Sequence, residues 1–347
     1  MKPKFRSLIA AFAPLSRSSL IVSAFASAGL LQSTEATPLA WQGATNDAWN
    51  TPASWTPNQT PTTADSLTIL GPAGVAGVLA INVNAAAAGD SISFTDTAAV
   101  TLTNTVSLAD QTLTVQSGLT TGAGAVTIGS AVANQGVLIA LGTSQIWNVG
   151  AGGLTATNVI SGAGFAITKT GVGTLTLAGA STYSGGTMLT TGIVTAQDAA
   201  TNNFVKALGT GLVTLNTGTL NLRANGSASS QTIITGDGTT GNNVTVGGNT
   251  TISVDRFGAN TGSTFRLNNL SIGANTLTVN GANTYALQFA GTTTLTGNAT
   301  FNNAANVTLT GAVGDGGSGF GITKQGAGTL TLASGANSYT GSTSVTA

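Results

Sequence analysis

The sequence predicts an all-β fold in which short strands stack as a solenoid. Three observations carry that prediction. Residues 167–177 read Ile-Thr-Lys-Thr-Gly-Val-Gly-Thr-Leu-Thr-Leu, and residues 322–332 read Ile-Thr-Lys-Gln-Gly-Ala-Gly-Thr-Leu-Thr-Leu, identical at nine of eleven positions. A strand–turn–strand unit used twice in one chain marks a repeat architecture, in which each unit stacks on the next. Strand-like pieces divided by Gly, Asn or Ser recur through the rest of the chain, which signals β structure with tight turns. The composition agrees: Thr and Gly (48 residues) dominate, Thr suiting a pleated surface and Gly the turns between strands.

The N-terminal 36 residues differ from the rest. Lys2, Lys4, Arg6 and Arg17 precede an apolar stretch over 20–31, with no acid before Glu35. A basic start followed by a short apolar run of small residues reads as a secretory signal peptide, too short to span a bilayer. We assign 1–36 to it, with cleavage expected between 28 and 40. Removal after Ala36 leaves 6 basic and 9 acidic residues, a net charge of −3. No basic patch for nucleic acid or anionic lipid is expected in such a chain.

Residues 37–65 hold Trp41, Trp49 and Trp55 among Pro52, Pro57 and Pro61. A solenoid needs its first rung covered, because an open rung presents unpaired backbone. The segment therefore reads as an N-terminal cap, and an aromatic platform for sugar rings is the functional alternative.

From 66 to 347 the expected strands include 66–70, 78–83, 100–103, 112–115, 137–141, 145–149, 174–177, 212–215, 219–222, 244–246, 276–279, 293–296, 307–310 and 329–332. In Thr174-Leu175-Thr176-Leu177 the period is two, so the Leu side chains share one face and the Thr side chains the other. A sandwich alternates in the same way, but 5% aromatic residues is little to fill its core. Near-identical strands with slender aliphatic residues favour the solenoid.

The repeated segments resemble the autotransporter-associated β-strand repeat of bacterial surface proteins. The first copy runs Lys169-Thr170-Gly171-Val172-Gly173-Thr174-Leu175-Thr176-Leu177 and continues to Tyr183, Gly185 and Thr187. The second runs Lys324-Gln325-Gly326-Ala327-Gly328-Thr329-Leu330-Thr331-Leu332 and continues to Tyr339, Gly341 and Thr343. The first departs from the family pattern at Ser181, where Asn is usual. The copies cover 167–187 and 322–343. The resemblance implies a right-handed parallel β-helix, secreted or displayed at the bacterial outer surface as a passenger region. The second copy reads as cut short at Ala347, without a C-terminal β-barrel or sorting tail, so a fragment of a longer product is the expectation.

Chemistry is constrained by what the chain lacks. It contains no Cys and no His, so disulfides, thiolate nucleophiles, imidazole bases and Ser-His-Asp triads are excluded. Gly-x-Gly pairs lack the third Gly of a dinucleotide fingerprint and read as turns. Gly316-Gly317-Ser318-Gly319 suggests a calcium nonapeptide, but Phe320 stands nearby and the required Asp is out of place. The carboxylate–arginine set of a polysaccharide-cleaving β-helix enzyme has its candidates in Asp237, Asp255, Arg256 and Arg266. The bland reading, turn-capping or solvated charges, is preferred, with a turn expected after Val254. Asp90 and Asp96 share a face only if no turn divides them. Lys169 and Lys324 are expected at the surface, and Tyr183 and Tyr339 at a turn of the coil. The expectation is thus a non-catalytic, adhesin-like scaffold without cofactor or metal. It would contact extracellular glycans or cell surfaces through repeated Thr, Asn and Tyr side chains. A carbohydrate-active enzyme and an ice-binding Thr surface are the alternatives.

Overall fold

The computed structural model describes residues 38–70, 78–95, 97–105, 109–200 and 202–346. The expected signal peptide and Asp96 lie outside these residues. The described chain is a right-handed parallel β-helix, with short strands wound into three sheets and no α-helix among the described residues. A single turn of 3-10 helix covers Pro52–Ser54.

The first sheet has 15 strands, the second 12 and the third six. Every pairing between these strands is parallel except that of Pro38–Trp41 with Trp55–Thr56. The third sheet begins at Phe204–Val205 and ends at Leu330–Leu332. Before it, the corresponding side of the coil is built by the strand Gln111–Thr121, which bends between two faces. Its first half pairs with Val137–Leu141 and its second half with Gln145–Val149. Gly118 makes the bend with φ of 148°, and a Cβ there would lie 2.1 Å from the Ile146 carbonyl oxygen. Only glycine fits that approach.

The register shows how an irregular sequence makes a regular stack. One turn of the coil takes 19 residues from Leu175 to Val194, but 32 from Leu220 to Ile252. The surplus is placed in turns, so strands stay paired while the sequence interval drifts. Inside, Ile167, Leu175, Leu177, Val194, Leu220, Leu222, Ile252, Leu277 and Val279 are buried, as the alternation predicts. Each buried aliphatic side chain contributes roughly 1.5–3 kcal/mol, and repetition along the axis sustains a narrow core. Thr187, Thr250 and Thr293 break the rule and point inward.

At the N-terminal end of the stack, Trp41 and Trp49 both pack edge-on against Trp55, with centroids 5.1 Å and 5.0 Å away. All three are buried, and the Trp55 indole donates to the Trp49 carbonyl at 2.8 Å. Their faces are spent on packing, so they offer no exposed platform for a sugar ring.

Candidate functional surface

Strand pairing turns scattered threonines into files. On the outer side of the second sheet, Thr101, Thr127, Thr155, Thr176 and Thr195 stand one above another in register, Thr195 itself being covered. The file continues through Asn221, Ser253 and Asn280. A second file beside it holds Thr219, Thr251 and Thr278, then Asn302. Neighbouring strands lie about 4.8 Å apart, so each file is a row of hydroxyls and amides at that spacing. The first sheet carries a mixed outer file of Thr168, Met188, Thr214, Thr245, Ser271 and Thr294.

Among the described residues, the side chains of the four charges named as an enzymatic set make no hydrogen bond or ion pair with one another, and they belong to different elements. Asp237 lies in the turn after the third-sheet strand Thr232–Thr235. Its carboxylate accepts the amides of Thr239, Thr240 and Gly241 and the hydroxyls of Thr239 and Thr240. Burial alone would raise its pKa; these hydrogen bonds outweigh that and hold the carboxyl well below the usual range. A carboxylate so saturated is a turn clamp. Asp255 is the last residue of the second-sheet strand Thr250–Asp255, one position further than the turn expected after Val254. Arg256 follows it and donates from Nη1 to the Ala259 carbonyl at 3.1 Å. Arg266 belongs to the third-sheet strand Thr264–Leu267, between Ile234 and Gln288 in register. Asp90 lies within the strand Ala87–Phe94 and accepts the Ser117 hydroxyl.

Around the glycine run, Asp315 performs the same turn-clamping task. Its carboxylate takes the amides of Gly317, Phe320 and Thr340 and the Thr340 hydroxyl. Among the described residues, no three acidic side chains gather in metal-binding geometry.

One expectation about the repeat itself is corrected, and a second, Tyr183 at a turn of the coil, holds: it lies between the strands Thr174–Leu177 and Gly186–Leu189. Lys169 is not at the surface: it is fully covered, and its ammonium donates to the carbonyls of Thr170, Gly171 and Thr191 at 2.8, 2.7 and 3.1 Å. Burial lowers its pKa to about 8. Tyr183 is also fully buried, its hydroxyl 2.6 Å from that of Thr187, which donates onward to the Leu208 carbonyl. It is a packing residue and offers no ring to a ligand. Lys324 and Tyr339 are half-buried.

Sequence reasoning passed over Arg223, Ser253 and Phe257. Register sets Arg223 directly beside Asp255, and its guanidinium lies 5.8 Å from the centroid of the Phe257 ring. A 32-residue interval separates the two strands, and no local pattern in the sequence reveals such a pairing.

Residues 167–196 and 322–347 match the family model described as passenger-associated-transport-repeat. These two segments are similar to that repeat, and they sit within a stack that extends well outside both. No curated protein and no solved structure matches the chain.

Proposed function

We propose that the chain is a secreted, surface-displayed passenger region whose β-helix serves as a non-catalytic scaffold for multivalent contact. The observation that carries this reading is the passenger repeat at 167–196 and 322–347, set in a stack whose outer face repeats the same polar groups turn after turn. Contact through a file of Thr, Asn and Ser is weak at each rung and gains strength from the number of rungs engaged together. Extracellular glycans and other cell surfaces, rich in hydroxyls and amides, are the class of partner that such a face suits. The basic start over 1–36 supplies the export signal that this reading requires.

Protease treatment of intact cells producing the chain tests the display. The expected result is loss of the full-length chain without lysis; protection until the cells are broken would overturn it. The in-register threonine files favour one further reading, an ice-binding face, which predicts thermal hysteresis in the purified protein. Absence of hysteresis removes it.

A further inference from the structure

We propose that Asn221, Arg223, Ser253, Asp255 and Phe257 form a binding subsite for one uncharged saccharide ring on the outer face of the second sheet. The proposal deepens the surface-contact reading and rests on it, by assigning a ligand class to one place along the files.

Arg223 pairs with Asp255 in adjacent parallel strands. Opposite charges set side by side on a sheet ordinarily close on each other, but here they do not. Arg223 lies against Phe257 instead. Asp255 turns its Oδ1 to the Arg256 amide at 2.7 Å and to the Asn283 side-chain amide at 2.7 Å. A depression of about 250 Å³ opens between them, lined by Asn221, Arg223, Ser253 and Asp255. That volume is slightly below the ~300 Å³ at which ordinary ligand pockets begin, which suits one ring and not an oligomer.

The groups facing this depression are unspent. The Arg223 guanidinium, Asp255 Oδ2, Asn221 Oδ1 and the Ser253 hydroxyl make no hydrogen bond among the described residues. The Asn221 amide nitrogen is engaged, donating to Thr195 Oγ1 at 3.2 Å. The free set is a fork of donors, two acceptors and one group that does both. A saccharide ring has the complementary chemistry, since each hydroxyl donates and accepts. Phe257 does not line the depression but adjoins it through Arg223; it is 40% exposed, and the part of its ring that Arg223 leaves uncovered offers a sugar's C–H face the apolar contact that aromatic residues bring to binding surfaces. One positive and one negative charge cancel, so the site does not select an acidic sugar.

The test titrates purified full-length chain with maltotriose, with the trimer of N-acetylglucosamine and with trigalacturonate, followed by calorimetry and saturation-transfer NMR. At least one uncharged trisaccharide is expected to bind with a dissociation constant on the order of millimolar. Arg223→Ala and Phe257→Ala should each weaken it by about tenfold, a typical loss for one charged hydrogen-bonding group or one aromatic contact. Lys206→Ala, outside the site, should leave binding unchanged, and unaltered thermal unfolding shows that the variants fold. Absence of binding by both uncharged probes, binding only of trigalacturonate, or binding indifferent to Arg223 and Phe257 would overturn the subsite. Those outcomes are independent of protease treatment of intact cells, so the subsite and the surface display fail separately.

Discussion

The two copies of the repeat share a sequence but occupy different places on the coil. In the first, Ala166–Thr170 belongs to the first sheet and Thr174–Leu177 to the second. In the second, Ile322–Gln325 lies in the second sheet and Leu330–Leu332 in the third. The same motif has advanced by one face. What the copies keep is local: in each, the lysine ammonium donates to the carbonyls of the next two residues, at 2.8 and 2.7 Å for Lys169 and 2.7 and 2.6 Å for Lys324. Each tyrosine hydroxyl also meets a threonine hydroxyl four residues on, at 2.6 and 2.7 Å. The motif thus encodes a strand–turn–strand unit clamped by its own lysine, and the address on the coil is set by the lengths of the turns around it.

The copies differ in cover. Leu175 and Leu177 are fully buried under neighbouring turns, whereas Leu330 and Leu332 are half-buried. The sharpest way to break the comparison is therefore Leu175→Asp against Leu330→Asp. An unpaired carboxylate in the dry core at 175 should cost on the order of 3–5 kcal/mol or prevent folding, and the change at 330 should cost much less. Urea unfolding followed by circular dichroism reads both, and equal losses would show that the two sites are alike.

Next in size is Tyr183→Phe, expected to cost about 1 kcal/mol for a buried hydrogen bond. Tyr339→Phe, with its hydroxyl pair at the surface, should fall within error in the same melts.

The lysine clamp gives a pH signature. The folded pKa of Lys169 is lowered by burial to about 8, from 10.5, so above about pH 8 the unfolded chain holds more protons than the folded one. Stability should then rise with pH between about 8 and 10.5, as the cost of covering the ammonium is relieved. Lys169→Met should flatten that rise in urea titrations across the same range.

The smallest effect concerns the turn beside the second copy. Burial would raise the Asp315 pKa, but the Thr340 hydroxyl and the amides of Thr340, Gly317 and Phe320 outweigh it and hold the carboxyl well below the usual range. A depressed carboxylate stabilises above the unfolded pKa of about 3.8, and the contribution is lost as pH falls below that value. Hydrogen exchange at Gly317, Phe320 and Thr340 should accelerate on acidification before the core amides do, and Asp315→Asn should abolish the difference.

Much of this fold was legible in the sequence, for identifiable reasons. Period-two alternation marked Leu113, Leu175, Leu177, Leu277 and Val279 as core, and glycine placed the turns. The same alternation sets Lys169 on the inward side with Ile167. The ordinary preference of lysine for water pointed the other way, and the carbonyls of Thr170, Gly171 and Thr191 that receive its ammonium decided the outcome. The pairing of Arg223 with Asp255 had no comparable signal, because coil lengths between 19 and 32 residues hide which residues become neighbours. The faces of the two repeats were hidden for the same reason.

The motif is displaced by one face between its two copies, and the absence of cysteine in the chain allows that displacement to be tested directly. Thr323, the counterpart of Thr168, should lie beside Thr300 in the second sheet. Had the copy kept the faces of the first, it would lie beside Thr294 in the first sheet. Neighbouring parallel strands are close enough for a disulfide. Oxidation of the Thr300→Cys/Thr323→Cys double variant is predicted to form an intramolecular cross-link, and the Thr294→Cys/Thr323→Cys variant is predicted to stay reduced. Cross-linking of the second pair without the first would show that the second copy keeps the faces of the first.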